Sequence, residues 1–135
     1  MGEPAVAFEP GPQLATLADV PFHIVGRHPK VECVGQCREG GIDWLSTKAF
    51  FERVRDISLG LGAMGLQCGD RVVLMSETRP EWVAVDLAIL CGGGITVPIY
   101  PTLSATQAQY IVQDSGARVA FVSTPEQAAK LQKVR

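Results

Sequence analysis

The chain has 135 residues, of which 47% are hydrophobic and 19% charged, and its formal net charge is −2 at pH 7. A chain of this size forms one domain that buries roughly two-thirds of its unfolded surface, and this composition is typical of a globular, soluble protein rather than a disordered one. The net charge argues against the basic surface that a nucleic-acid-binding protein needs. No apolar run approaches the roughly 18 residues of a membrane-spanning helix.

The N-terminal stretch carries no recognisable targeting signal. Met1–Gln13 contains three prolines and two glycines, and it lacks the basic flank and apolar core of a signal peptide. We therefore expect residues 1–15 to be a flexible leader and the protein to be cytoplasmic, with peripheral attachment to a membrane left open. Without secretion, the four cysteines are expected to be reduced thiols.

Two short elements are predicted before residue 46. Thr16–Val25 is expected to form a short helix that Pro21 weakens. Val31–Gln36 and Ile42–Leu45 bracket the turn sequence Arg-Glu-Gly-Gly, which favours a β-hairpin.

The same region contains four residues that could in principle ligate zinc: His23, His28, Cys33 and Cys37. Their spacings of five, five and four residues match no common zinc pattern. We expect no metal there and interpret the four as ordinary residues.

A long amphipathic helix is predicted from Ser46, a suitable N-cap, to about Met64. Gly65 would close it in the left-handed conformation, with Leu66 folding back on the helix. The predicted apolar face recurs every three or four residues and consists of Phe50, Val54, Ile57, Leu61 and Met64.

The glycines at the end of that helix satisfy G-x-G-x-x-G, at Gly60, Gly62 and Gly65. A dinucleotide-binding loop must follow a strand and open a helix, so that the helix N-terminus meets the pyrophosphate. Here the motif ends a helix and precedes a strand, which disfavours a nucleotide-cofactor enzyme of the NAD or FAD type.

Residues 69–102 predict a β-α-β unit. Arg71–Met75 is apolar without alternation, as expected for a strand buried on both faces of a parallel sheet. Thr78 and Glu81 have the spacing of a capping box for a helix Pro80–Cys91, which we expect to be covered on most sides. Three glycines then lead tightly into a strand at 95–99.

The remaining residues repeat this pattern. Ser104 and Gln107 form a second capping box for a helix to Asp114, and a strand is predicted at 118–122 before a final helix that Thr124 caps. The final helix presents the apolar residues Ala128, Leu131 and Val134. Strand starts at 71, 95 and 118 indicate βαβαβα winding, so the predicted fold class is α/β with a parallel sheet layer flanked by helices.

Two segments of this region stand out, RPEWV at Arg79–Val83 and LCGGGITVPIYPT at Leu90–Thr102. They resemble the AMP-forming acyl-CoA synthetases of the adenylate-forming superfamily, and within it the long-chain fatty-acid–CoA ligases. The segment GGGITVPIYPT is similar to the superfamily's second core motif. The match covers roughly Ser46–Val134. It departs from the family at Ala49, where an acidic residue is usual, and at Phe50, where a leucine is usual.

The resemblance implies an N-terminal part of an AMP-binding domain at residues 16–135, ending before the phosphate-binding loop and the catalytic lysines. The intact enzyme would join fatty acid, ATP and CoA into acyl-CoA, AMP and diphosphate with Mg²⁺, and its partner would be the remainder of the ligase chain. The fragment alone is expected to be inactive and to bind none of these cofactors. The alternative is a free-standing α/β binding or interaction module without ligase activity.

No catalytic residue is assigned within the chain. Open α/β sheets bind ligands beyond the carboxyl ends of their strands, which selects the loops at 76–79, 100–102 and 123–124. The candidate substrate-binding residues are Ser76, Glu77, Thr78, Arg79, Tyr100, Pro101 and Thr102.

Overall fold

The computed structural model describes residues 14–132, in which helices cover both faces of a small parallel sheet. The predicted leader lies mostly outside these residues, as does Val134 of the final helix. In chain order the elements are a 3₁₀ turn Leu17–Asp19, α1 Val20–Arg27, β1 Val34–Arg38, β2 Gly41–Leu45, α2 Thr47–Ala63, β3 Arg71–Met75, α3 Pro80–Cys91, β4 Ile95–Ile99, α4 Ala105–Ser115, β5 Val119–Val122 and α5 Pro125–Leu131.

The sheet confirms the predicted parallel arrangement. Its strand order is β4–β3–β5, with Val72 of the central strand beside Thr96 on one side and Val119 on the other. The helices α3 and α4 connect the strands, as predicted, and β5 begins one residue later than expected. Because β3 is central and both faces are covered, Val72–Met75 is buried, which explains its lack of polar alternation.

Alternate residues of β3 contribute to two separate cores. The core on one face joins β3 to α2 and α3, and its buried members are Leu61, Val72, Leu74, Val85 and Ile89. The core on the other face joins β3 and β4 to α4, and its buried members are Val73, Met75, Ile99 and Ala108. Successive residues of a strand point to opposite faces of the sheet, so the helices on both faces pack against the single strand β3.

The predicted apolar face of α2 is confirmed except at its end. Phe50, Val54 and Leu61 are buried, but Met64 is exposed. Gly65 has φ +90°, so the chain reverses there and the Leu66 N–H donates to the Leu61 carbonyl at 3.0 Å. Leu66 packs against the core in place of Met64, as the Schellman-type ending predicts.

The predicted capping box of α3 is wrong. The N-cap is Arg79, with φ −157° and ψ 161°, and no side chain caps the helix. Pro80 disfavours the helical region for the residue before it, so Arg79 stays extended and the helix cannot begin at Thr78. The capping box predicted at Ser104 and the N-cap predicted at Thr124 are confirmed, since each hydroxyl accepts a hydrogen bond from the N–H three residues on.

The N-terminal elements differ in detail from the prediction. Pro21 stands in the first turn of α1, where its missing N–H is tolerated, and the helix continues to Arg27. The hairpin is present with β1 starting three residues later than expected. Within residues 14–132, no helix is long and apolar enough to cross a membrane.

Candidate functional site

A cleft of about 260 Å³ lies at the carboxyl ends of β3 and β5, on the side of the sheet that α3 covers. Its wall is mainly apolar, and its rim is polar because the two strands end there. The lining residues are Leu74, Ser76, Arg79, Glu81, Trp82, Val85, Phe121, Val122 and Ser123. An apolar floor with a few polar groups at its mouth is the usual form of a small-molecule site.

An ion pair stands at the mouth of the cleft. Arg79 Nε donates to Glu81 Oε2 at 2.8 Å, and both side chains are partly exposed. The guanidinium, acting first through this hydrogen bond, lowers the pKa of Glu81, and Glu81 in turn raises the pKa of Arg79. The one cation that lines the cleft is therefore already engaged by a carboxylate.

A hydrogen-bonded cluster beside the cleft joins the ends of β3 and β5. The Glu77 carboxylate accepts from the Ser123 hydroxyl and from Gln127 Nε2, the latter at 2.7 Å. Gln127 is only 4% exposed, and its Oε1 accepts from the Ser123 N–H at 3.0 Å. These contacts lower the pKa of Glu77, with the Ser123 hydroxyl as the largest cause. The cluster fixes the position of the loop after β3.

This arrangement makes the acid stability of the fold depend partly on Glu77. The pKa is lowered in the folded state, so the stabilisation is complete above the unfolded value of about 4.3 and is lost as pH falls through the folded value. We expect Glu77→Gln to make the decline in unfolding free energy below pH 5 less steep, as measured by urea titrations between about pH 7 and pH 3. The control is Glu39→Gln in the exposed β1–β2 turn, and equal pH slopes for parent and Glu77→Gln would contradict the prediction.

The loop after β4 lies on the opposite side of the central strand from β5. Tyr100 is 78% exposed, and Thr102 is exposed as well. Lys130 Nζ donates to the carbonyls of Pro101 and Leu103 at 2.7 and 2.9 Å. Through Gln127 and Lys130, one face of α5 therefore holds all three strand-end loops.

The structure brings together only part of the candidate site. Ser76 and Arg79 lie on the cleft rim, and Glu77 lies beside it, whereas Thr78 and the three residues after β4 do not line the cleft. Sequence reasoning did not select the cleft residues Glu81, Trp82, Val85 and Phe121. Glu81 and Trp82 could have been selected from the sequence, because both lie in the first turn of the helix that follows the strand-end loop.

The described residues form neither a metal-binding cluster nor a phosphate site built on a glycine-rich loop. Within residues 14–132, no group of three or more His, Cys, Asp or Glu side chains is arranged to hold a metal ion. The His23 and His28 rings are 5.7 Å apart, while Cys33 is half-buried and Cys37 exposed. The glycine motif at 60–65 ends α2 rather than opening a helix, so it offers no helix N-terminus to a phosphate.

Comparison with known proteins gives a consistent set of relatives. The family model of the AMP-binding enzymes matches residues 22–135. The long-chain-fatty-acid--CoA ligase FadD15 of Mycobacterium bovis is 50% identical over 76 residues, which cover 56% of this chain and 13% of the relative. The fatty acyl-CoA synthetase A of Dictyostelium discoideum is 34% identical over 84 residues, which cover 62% of this chain and 13% of the relative.

Solved structures share the fold. The fatty acyl-adenylate ligase from L. pneumophila, solved with acyl adenylate and pyrophosphate, superposes with a TM-score of 0.75 at 22% identity. The match covers 91% of this chain and 24% of that one. At this identity the likeness supports the fold alone. The chain spans about 13% of the length of the curated relatives it matches.

Proposed function

We propose that this chain, which belongs to the AMP-binding enzyme family, forms part of a long-chain fatty-acid–CoA ligase. The observation that carries the proposal is the 50% identity over 76 residues to a relative of that name. The proposed overall reaction converts a fatty acid, ATP and CoA into acyl-CoA, AMP and diphosphate. A fatty carboxylate attacks the α-phosphate to give acyl-adenylate and diphosphate, and the CoA thiol then displaces AMP.

In this proposal residues 14–132 supply scaffold and one edge of a substrate site. Ser76 and Arg79 on the cleft rim support this role, and the apolar wall suits an uncharged part of a substrate. The described residues do not fit the triphosphate of Mg-ATP, because they include no metal-ligating cluster and the cleft's cation is paired with Glu81. We assign the phosphate, Mg²⁺ and CoA chemistry to the remainder of a longer ligase chain, in a cytoplasmic enzyme.

The second candidate, a free-standing binding module, is favoured by one observation. Both faces of the β4–β3–β5 sheet are already covered by helices of this chain, so a core exists without further elements. The ligase proposal requires that the reading frame continue beyond Arg135, whereas the binding module does not.

The decisive experiment compares the 135-residue chain with the reading frame extended beyond Arg135. We expect the chain alone to show no fatty-acid-dependent exchange of pyrophosphate into ATP, because residues 14–132 include no metal-ligating cluster and the cation of the cleft is paired with Glu81. The extended protein should show exchange with palmitate and little with acetate, the matched short-chain control.

Two outcomes would contradict the proposal. Exchange by the 135-residue chain itself, lost on Arg79→Gln, would place the chemistry in the described residues. A stop codon directly after Arg135, with no ligase activity in the natural protein, would favour the binding module.

A further inference from the structure

Two arginines stand side by side at the amino edge of the sheet, away from the cleft. β3 and β5 are parallel, with Val72 beside Val119. Arg71 and Arg118 each lie one position earlier, so the register places them next to each other with their side chains on the same face. Both residues are exposed.

The two charges are not neutralised by the described residues. No carboxylate within residues 14–132 lies within ion-pair distance of Arg71 or Arg118, whereas Arg38, Arg55 and Arg79 are all paired. Two like charges held near each other repel, and a bound anion would relieve that repulsion. The neighbouring Asp70 carboxylate accepts from the Gln67 N–H at 2.8 Å and so is committed to the turn.

Both arginines line a polar cavity of about 430 Å³, and Asp70 lines it as well. The turns after α2 and α4 form two of its walls, and each contributes a glycine, Gly65 and Gly116. A methyl group built on either glycine would meet nothing within 4 Å. The cavity is therefore open beside both turns, and its volume leaves room for a small ligand.

We propose that this cavity binds a phosphate group through Arg71 and Arg118. A guanidinium presents a planar fork of donors that matches two phosphate oxygens, and two such groups balance a dianion. Five strand residues separate this edge from the cleft, roughly 16 Å at the usual rise, so the site is distinct from the cleft and the proposal goes beyond the proposed ligase function. Inorganic phosphate, a soluble phosphate ester and a phosphate lipid headgroup share the required chemistry.

The test titrates inorganic phosphate into the 135-residue chain at constant ionic strength and follows amide NMR shifts around Arg71 and Arg118. We expect saturable binding, weakened about tenfold by Arg71→Gln or Arg118→Gln and about a hundredfold by the double variant. Arg27→Gln, an exposed arginine of α1, is the matched control and should bind as the parent does. Absence of saturable binding, or equal binding by the double variant, would overturn the proposal.

Thermal melts distinguish a folding defect of a variant from a loss of phosphate binding. Removing one of the two like charges should leave the melting temperature without phosphate unchanged or higher, and phosphate should raise it most in the parent and least in the double variant. An equal rise in the double variant would overturn the site. Flotation with phosphatidylcholine vesicles containing phosphatidic acid separates the sources: flotation lost in the double variant supports a headgroup, and phosphate binding without flotation supports a soluble ligand.

Discussion

Leu74→Ala is expected to lower the free energy of unfolding by about 2–5 kcal/mol. Leu74 is 2% exposed on the central strand and packs with Val85, Ile89 and Leu61, so its loss leaves a cavity between the sheet and two helices. The strand is held on both sides by β4 and β5, which limits how far the site can collapse. For domains whose whole stability is about 5–15 kcal/mol, this is a large fraction.

Leu17→Ala is the matched control, because Leu17 is 68% exposed in the 3₁₀ turn and surface truncations change stability by about 0.5 kcal/mol or less. Urea unfolding followed by far-UV circular dichroism gives both midpoints, and the slope should be unchanged. Since Leu74 also lines the cleft, ligand binding should be compared only under conditions where the variant is folded. A loss below about 1 kcal/mol would show that β3 is not the centre of the core.

Much of the fold was predictable because its signals are local. The unalternating run at 72–75 marked a strand covered on both faces, and three strand starts at near-equal spacing indicated the parallel sheet. The strand order β4–β3–β5 was not specified by that spacing, because it depends on which edge each crossover returns to. The misplaced start of α3 had a local cause as well: Pro80 constrains Arg79 more strongly than Thr78 favours a cap.

The candidate site was predictable only in part. The strand-end rule selected Ser76 and Arg79, which line the cleft, but it could not choose between the two sides of the central strand. It therefore also selected the loop after β4, which lies away from the cleft. The contact of Gln127 with Glu77 spans 50 positions in the chain, and no pattern within either segment reports such a pairing.

The isolated chain is also expected to self-associate, and the surface responsible is an apolar groove between α1 and α2. The groove has a volume of about 590 Å³, and two of its aromatic and aliphatic side chains, Phe22 and Leu59, are 74% and 66% exposed. The sheet edges are less exposed to pairing with another chain, because β4 contains Pro98 and β5 has only four residues. Large contiguous apolar surfaces on a monomer favour association.

Light scattering and a thermal melt of the chain alone test this prediction. We expect a scattering mass above that of the monomer at high micromolar concentration, with a broad transition of low midpoint. The double variant Phe22→Ser and Leu59→Ser should return the mass towards the monomer, whereas Tyr110→Ser, an equally exposed change on α4, should not.

The downstream portion of the proposed ligase, added as a separate polypeptide, should suppress association by covering apolar surface of the chain. A monomeric parent with a sharp transition above about 60 °C, the upper part of the usual range, would show that these residues close their own core and would favour the free-standing module.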